Sequence, residues 1–143
     1  MTAVHVLNGP NLNLLGKREP AIYGSASLDD IRKLLDAKCA EKGVSLVFKQ
    51  SNIEGELITW IQEAGAVGAS IILNAGALTH TSIALYDAIK GAQATVIEVH
   101  LSNVYARESF RHHSYISPAA RGIIAGFGPQ SYLLALEAIF ANF

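Results

Sequence analysis

The sequence predicts a doubly wound α/β domain built on a five-stranded parallel sheet, and three observations carry that prediction. Short runs rich in β-branched residues alternate in order with stretches of helical apolar periodicity. Two of those runs, Ala69 to Asn74 and Gly122 to Phe127, are almost continuously apolar, the pattern of strands buried on both faces. The 143 residues contain no internal repeat, low-complexity tract or linker-like stretch, so they read as a single domain over 1–143.

The first strand is Ala3 to Asn8. A loop of about eighteen residues, Gly9 to Ala26, follows it, long for a compact α/β unit and of the kind that covers a site. Ser27, with Asp30 three residues on, caps a helix that buries Leu28, Ile31, Leu35 and Cys39 and stops at Gly43. Eight charges (Asp29, Asp30, Arg32, Lys33, Asp36, Lys38, Glu41 and Lys42) mark its solvent side. Strands then fit Val44 to Gln50, Ala69 to Asn74, Thr95 to Val99 and Gly122 to Phe127, and helices fit Glu54 to Ala64, Thr81 to Lys90 and Gln130 to Asn142. Five strands interleaved with helices on this scale make a three-layer α/β/α domain of flavodoxin-like type.

Composition removes several classes of function. A net charge of −1 with no basic run leaves no electrostatic footprint for nucleic acid or an anionic membrane. The 23 residues from Ala64 to Tyr86 carry no formal charge, but Asn74, Thr79, His80, Thr81 and Ser82 and three glycines break them into strand, loop and helix start rather than a membrane span. One cysteine, on the apolar side of a helix, reads as a reduced core thiol, and nothing resembles a signal peptide, so the cytoplasm is the expected location. GxSxG, P-loop, HExxH and clean GxGxxG signatures are absent.

Ligands of open parallel sheets bind beyond the carboxyl ends of the strands, and those ends are polar here. The first strand runs into Asn8-Gly9-Pro10-Asn11, the third ends at Asn74, and the fourth at Glu98-Val99-His100-Leu101-Ser102, so Asn11, Asn74 and His100 are expected at one mouth. Glu98 and His100, two apart on a strand, leave the same face, where a carboxylate orients an imidazole for acid/base work; a chance polar pair and a metal site including His80 are the competing readings. His80 and Asp87, seven apart, are expected on one face of the Thr81 helix, holding a polar ligand or else merely capping the helix and facing solvent. Arg107 and Arg111 suit a carboxylate, or an exposed or intersubunit ion-pair cluster. Tyr23 lies near Arg18 in the long loop. A phenol with a pKa near 10 is about one part in a thousand ionised at neutral pH, a fraction a guanidinium raises, so Tyr23 is either a base or an ordinary packed aromatic.

The chain resembles the type II 3-dehydroquinate dehydratases over essentially its whole length. The resemblance rests on Asn8-Gly9-Pro10-Asn11-Leu12-Asn13-Leu14-Leu15-Gly16, Arg18-Glu19-Pro20, Tyr23-Gly24, Gln50-Ser51-Asn52, Leu73 to Ser82, Ile97 to Asn103, and His113-Ser114-Tyr115, in the family's order. His112 stands where arginine is often found, and Lys17 and Ala77 occupy variable-looking positions. The resemblance implies reversible anti elimination of water from 3-dehydroquinate through an enolate, in aromatic biosynthesis or quinate breakdown, without metal or organic cofactor. It implies Tyr23 as the base, Arg18 as the cation that keeps it ionised, His100 as the acid with Glu98 orienting it, and Asn11, with a water near Pro10 and Gly76 to Ala77, as the enolate-stabilising group. Asn74, His80, Leu101, Ser102 and Arg111 match substrate-binding positions, Asp87 a residue from a neighbouring subunit, and Arg107 an assistant to Tyr23.

A metal-dependent hydrolase and a flavodoxin-like binding module are the alternatives from other classes. Only 16% of residues are charged, against about 25% in ordinary soluble domains. So apolar an exterior is expected to be buried between copies of the chain, and the resemblance implies trimers assembled into a dodecamer.

Overall fold

The computed structural model describes residues 3–17, 19, 21 and 25–142. Its sheet consists of β1 (Ala3–Asn8), β2 (Ser45–Gln50), β3 (Ser70–Asn74), β4 (Thr95–His100) and β5 (Gly122–Ala125), all parallel, in the order β2-β1-β3-β4-β5. Helices α1 (Leu28–Glu41), α2 (Glu54–Ala66), α3 (Ile83–Gly91) and α4 (Gln130–Phe140) complete the doubly wound, three-layer arrangement. Alternation along the strands assigns the layers. Val4 and Val6, Ile72, and Ile97 and Val99 pack with α1 and α4, whereas Leu7, Ile71 and Leu73, and Val96 pack with α2 and α3.

The start of α1 is built as the sequence expects. Ser27 Oγ accepts from the Asp30 N–H at 3.1 Å and Asp30 Oδ2 accepts from the Ser27 N–H at 3.0 Å, a reciprocal capping box. Ile31, Leu35 and Cys39 are buried, while Leu28 is only half-buried. Two expectations are corrected. Helix α3 starts at Ile83, not Thr81, because Ser82 Oγ caps the Leu85 N–H at 2.9 Å and residues Gly76–His80 form a separate 3-10 turn. Gly122 to Phe127 is not a strand buried on both faces: β5 ends at Ala125 on the sheet's edge, and Ile123 is 53% exposed.

Strand order brings the polar ends together. The parallel register sets Asn8 level with Gln50 on one side and Asn74 on the other. Beyond them the β1 and β3 loops interlock, with the Gly9 N–H donating to the Asn74 carbonyl at 2.8 Å. Neither loop has room for a side chain at the crossing. A Cβ on Gly9 would stand 2.4 Å from the Ala75 carbonyl oxygen, and one on Gly76, whose φ is +60°, would stand 2.9 Å from the Pro10 oxygen.

Gly9→Ala is therefore expected to lower the urea unfolding midpoint by an amount equivalent to about 3 kcal/mol, the upper range for forced overpacking. A midpoint equal to wild type would show that the two loops separate without strain.

Candidate active site

The carboxyl edge of β1, β3 and β4 opens into a cavity whose walls include Asn11, Asn74, His80, His100, Ser102 and Arg111. Leu101 and Arg107 line it as well. The convergence of Asn11, Asn74 and His100 follows directly from the β1-β3-β4 adjacency.

Glu98 is the best-held polar group of the site. Its side chain is 2% exposed, and His100 Nε2 donates to its Oε2 at 2.5 Å. Ser117 Oγ donates to Oε1 at 2.6 Å, and Ser114 Oγ lies 3.2 and 3.0 Å from the two carboxylate oxygens. Ser114 Oγ also accepts the N–H groups of Ile116 and Ser117, at 3.1 and 3.0 Å, so its own proton is directed at Glu98. Burial raises the Glu98 carboxyl, but the hydrogen bonds from His100, Ser117 and Ser114 outweigh it and hold the group below its ordinary value, hence ionised at neutral pH. An ionised carboxylate only accepts, so a proton sits on Nε2 of His100. Any proton exchanged with a ligand in the cavity then passes through Nδ1.

His80 has the complementary arrangement. Its Nδ1 donates to the His113 carbonyl at 2.7 Å, which leaves Nε2 for the cavity, and its ring stacks near that of His100 with centroids 6.4 Å apart. Burial lowers its pKa, His100 and Arg111 lower it further, and the His113 carbonyl only partly opposes them, so this imidazole is neutral at pH 7. Arg107 and Arg111 are mostly buried and bracket Glu108: Arg111 Nε is 2.9 Å and Arg107 Nε 3.7 Å from Glu108 Oε1. Arg107 also reaches Ser102 Oγ at 3.4 Å.

Asn11 heads a 3-10 turn, Leu12–Leu14, with φ of +69°, a left-handed conformation that asparagine tolerates better than most residues. Asn52 Oδ1 accepts the Asn11 N–H at 2.9 Å, and the Gln50 amide donates to Asn52 Oδ1 and to the Gly9 carbonyl, both at 3.2 Å. The Gln50-Ser51-Asn52 segment, read in the sequence only as part of a resemblance, is thus a brace under the β1 loop. Ser114 enters the sequence reading only within the resemblance and Ser117 not at all, since serines in a loop carry no periodicity. The serine-rich segment after His113 was the available signal.

Asp87 does not join this group. The sequence places it on one helical face with His80, but the helix begins only at Ile83, and Asp87 lines a shallow groove with Gln62, Gly65 and Ala88 of α2 and α3. Tyr23 and Arg18 lie outside the described residues. Among the described residues no group of three or more His, Cys, Asp or Glu side chains is disposed to hold a metal ion, and no helix is long and apolar enough to cross a membrane.

Fold and site define a doubly wound α/β enzyme of the acid/base type, with a carboxylate-held imidazole facing a polar cavity at the sheet's carboxyl edge. The family model described as Dehydroquinase class II matches residues 2–140. A 3-dehydroquinate dehydratase of Azorhizobium caulinodans is 62% identical over 137 residues, covering 95% of this chain and 92% of that protein. One from Acidovorax sp. is 57% identical over 141 residues, covering 95% of each. The crystal structure of the type II dehydroquinase from Propionibacterium acnes superposes with a TM-score of 0.93 at 41% identity, covering 97% of this chain and 96% of that one. The chain belongs to the class II dehydroquinase family.

The Glu98 environment generates a pH prediction. Its folded pKa lies below its unfolded value, so its contribution to stability is complete above that unfolded value and is lost as pH falls through the folded one. Glu98→Gln leaves donors without a charged acceptor and is expected to cost about 2 kcal/mol at pH 7. The gap between wild type and variant should narrow as pH falls below 4.5, the ordinary value. A gap independent of pH between 7 and 3 would mean that the carboxylate is not held ionised by its neighbours.

Proposed function

We propose that the chain is a 3-dehydroquinate dehydratase, which eliminates water from 3-dehydroquinate to give 3-dehydroshikimate. The observation that carries this reading is the buried Glu98–His100 pair at the head of a cavity also lined by Asn11, Asn74 and Arg111. Family membership supplies the reaction.

The chemistry asks for a base at the carbon next to the ketone, a place for the enolate charge, and an acid for the departing hydroxyl. Tyr23, as tyrosinate, takes the proton alpha to the ketone, and the electrons of the broken C–H bond pass to the ketone oxygen. Lowering a phenol by two pKa units takes roughly 2.7 kcal/mol of preferential anion stabilisation, which Arg18 is assigned to provide, with Arg107 assisting. Asn11 donates to the enolate oxygen. When the enolate reforms the ketone, its electrons expel the hydroxyl on the far carbon, and His100 protonates it to water. Glu98 supports the orientation and charge of that imidazole in every state. Asn74 and His80 hold substrate hydroxyls, and Arg111 holds the carboxylate with the backbone amides of Leu101 and Ser102. The residues need no metal or organic cofactor for this sequence of steps.

We further infer a cytoplasmic dodecamer, a tetramer of trimers, in which Asp87 reaches a neighbouring subunit's site. Large apolar side chains support the association, among them Val67 at 71% and Phe110 at 65% exposure, together with the position of Asp87 away from its own cavity.

Two measurements test these proposals. Adding 3-dehydroquinate is expected to produce the ultraviolet absorbance of a conjugated enone, and Tyr23→Phe is expected to keep fold and ligand binding while losing nearly all turnover; substantial residual activity in that variant would remove the tyrosinate mechanism. Light scattering in solution should give the mass of twelve chains, and a monomer at working concentrations would overturn the assembly.

A further inference from the structure

Tyr132 plays no part in the steps above, yet it is 0% exposed, sits on α4, and its hydroxyl is spent on two side chains at strand ends. Asn74 Nδ2 donates to the Tyr132 oxygen at 2.9 Å, and the Tyr132 hydroxyl donates to Asn8 Oδ1 at 2.6 Å. Beyond Asn8, its Nδ2 donates to the Lys49 carbonyl at 3.0 Å, and beyond Asn74, its Oδ1 accepts the Gly76 N–H at 3.2 Å.

The two ends of this chain are backbone groups with fixed roles. A carbonyl cannot donate, so Asn8 must turn its NH2 to Lys49 and its oxygen to Tyr132. An N–H cannot accept, so Asn74 must turn its oxygen to Gly76 and its NH2 to Tyr132. The Tyr132 hydroxyl satisfies both amides, accepting from Asn74 and donating to Asn8. Its burial pushes the phenol well above its ordinary pKa, so the proton it donates to Asn8 stays in place across the working range.

We propose that Tyr132 is a positioning residue for Asn74, fixing which way round that amide stands and directing its second N–H into the cavity. The proposal rests on the reading of Asn74 as a substrate-binding group. Asn8 and Asn74 are 0% and 3% exposed, so losing the hydroxyl leaves the Asn8 oxygen and the Asn74 N–H that faced it without their buried partner. Phenylalanine in place of Tyr132 keeps the ring in the core but removes both the acceptor and the donor.

The test is a double-mutant cycle read as KM against kcat. Tyr132→Phe is expected to raise KM for 3-dehydroquinate about fivefold, as befits one hydrogen bond of positioning, with kcat changed by less than about twofold. In an Asn74→Ala background the same substitution is expected to leave KM unchanged. An unchanged KM in the folded single variant, or the same KM increase in both backgrounds, would overturn the proposal and leave Tyr132 a packing residue. Tyr132→Met, which fills much of the same core space and likewise removes both hydroxyl roles, carries the same cycle if Tyr132→Phe does not fold, with the same two outcomes deciding. No turnover of 3-dehydroquinate by the wild-type chain would overturn the functional reading itself, whereas turnover with an unaffected Tyr132→Phe removes only this role.

Discussion

An ionised carboxylate buried at the end of a parallel sheet is the constraint around which the site is arranged. Leaving a charge such as that of Glu98 unpaired at 2% exposure would be far more costly than any single packing contact gains. The surrounding structure therefore supplies three donors: an imidazole from the same strand and two serine hydroxyls from the loop that follows. That solution has a chemical consequence. Once Nε2 of His100 is committed to Glu98, the tautomer is set and Nδ1 is the nitrogen left over on a ring that lines the cavity.

The same economy recurs on the other side of the sheet. Asn8, Asn74 and Tyr132 form a second buried polar group, on the α4 face, in which each donor meets an acceptor and both ends stop at backbone. The cavity lies beyond the strand ends, between an ionised network and a neutral one. Parallel strands allow this because β3 and β4 each carry an apolar run into a polar terminus, so helices cover the run while the terminus lines the site. The interlocked glycines at Gly9 and Gly76 then bring the Asn11 turn up to Asn74.

Much of this was legible in the sequence because it depends on periodicity and order. The bounds of β1 are those expected, the capping box at Ser27 is present, and alternation alone put Glu98 and His100 on one face. What failed did so for physical reasons. An apolar run reads as doubly buried, yet β5 is an edge strand whose Ile123 is exposed in the monomer. Helical spacing joined His80 to Asp87, but a cap at Ser82 interrupts the helix between them. Ser117, Asn52 and Tyr132 act through directional hydrogen bonds between segments apart in the chain, which apolar periodicity and local spacing do not reveal. For Tyr23 and Arg18 the sequence offers the resemblance and the general chemistry of a phenol near a guanidinium.

In the proposed reaction, the Glu98-held imidazole of His100 meets the hydroxyl that leaves. A crystal structure with 3-dehydroquinate or an unreactive analogue in the cavity tests it most directly. That hydroxyl is expected within hydrogen-bond distance of His100 Nδ1, with Nε2 still on Glu98. A ligand bound elsewhere, or an imidazole turned away from Glu98 when the ligand is present, would contradict it.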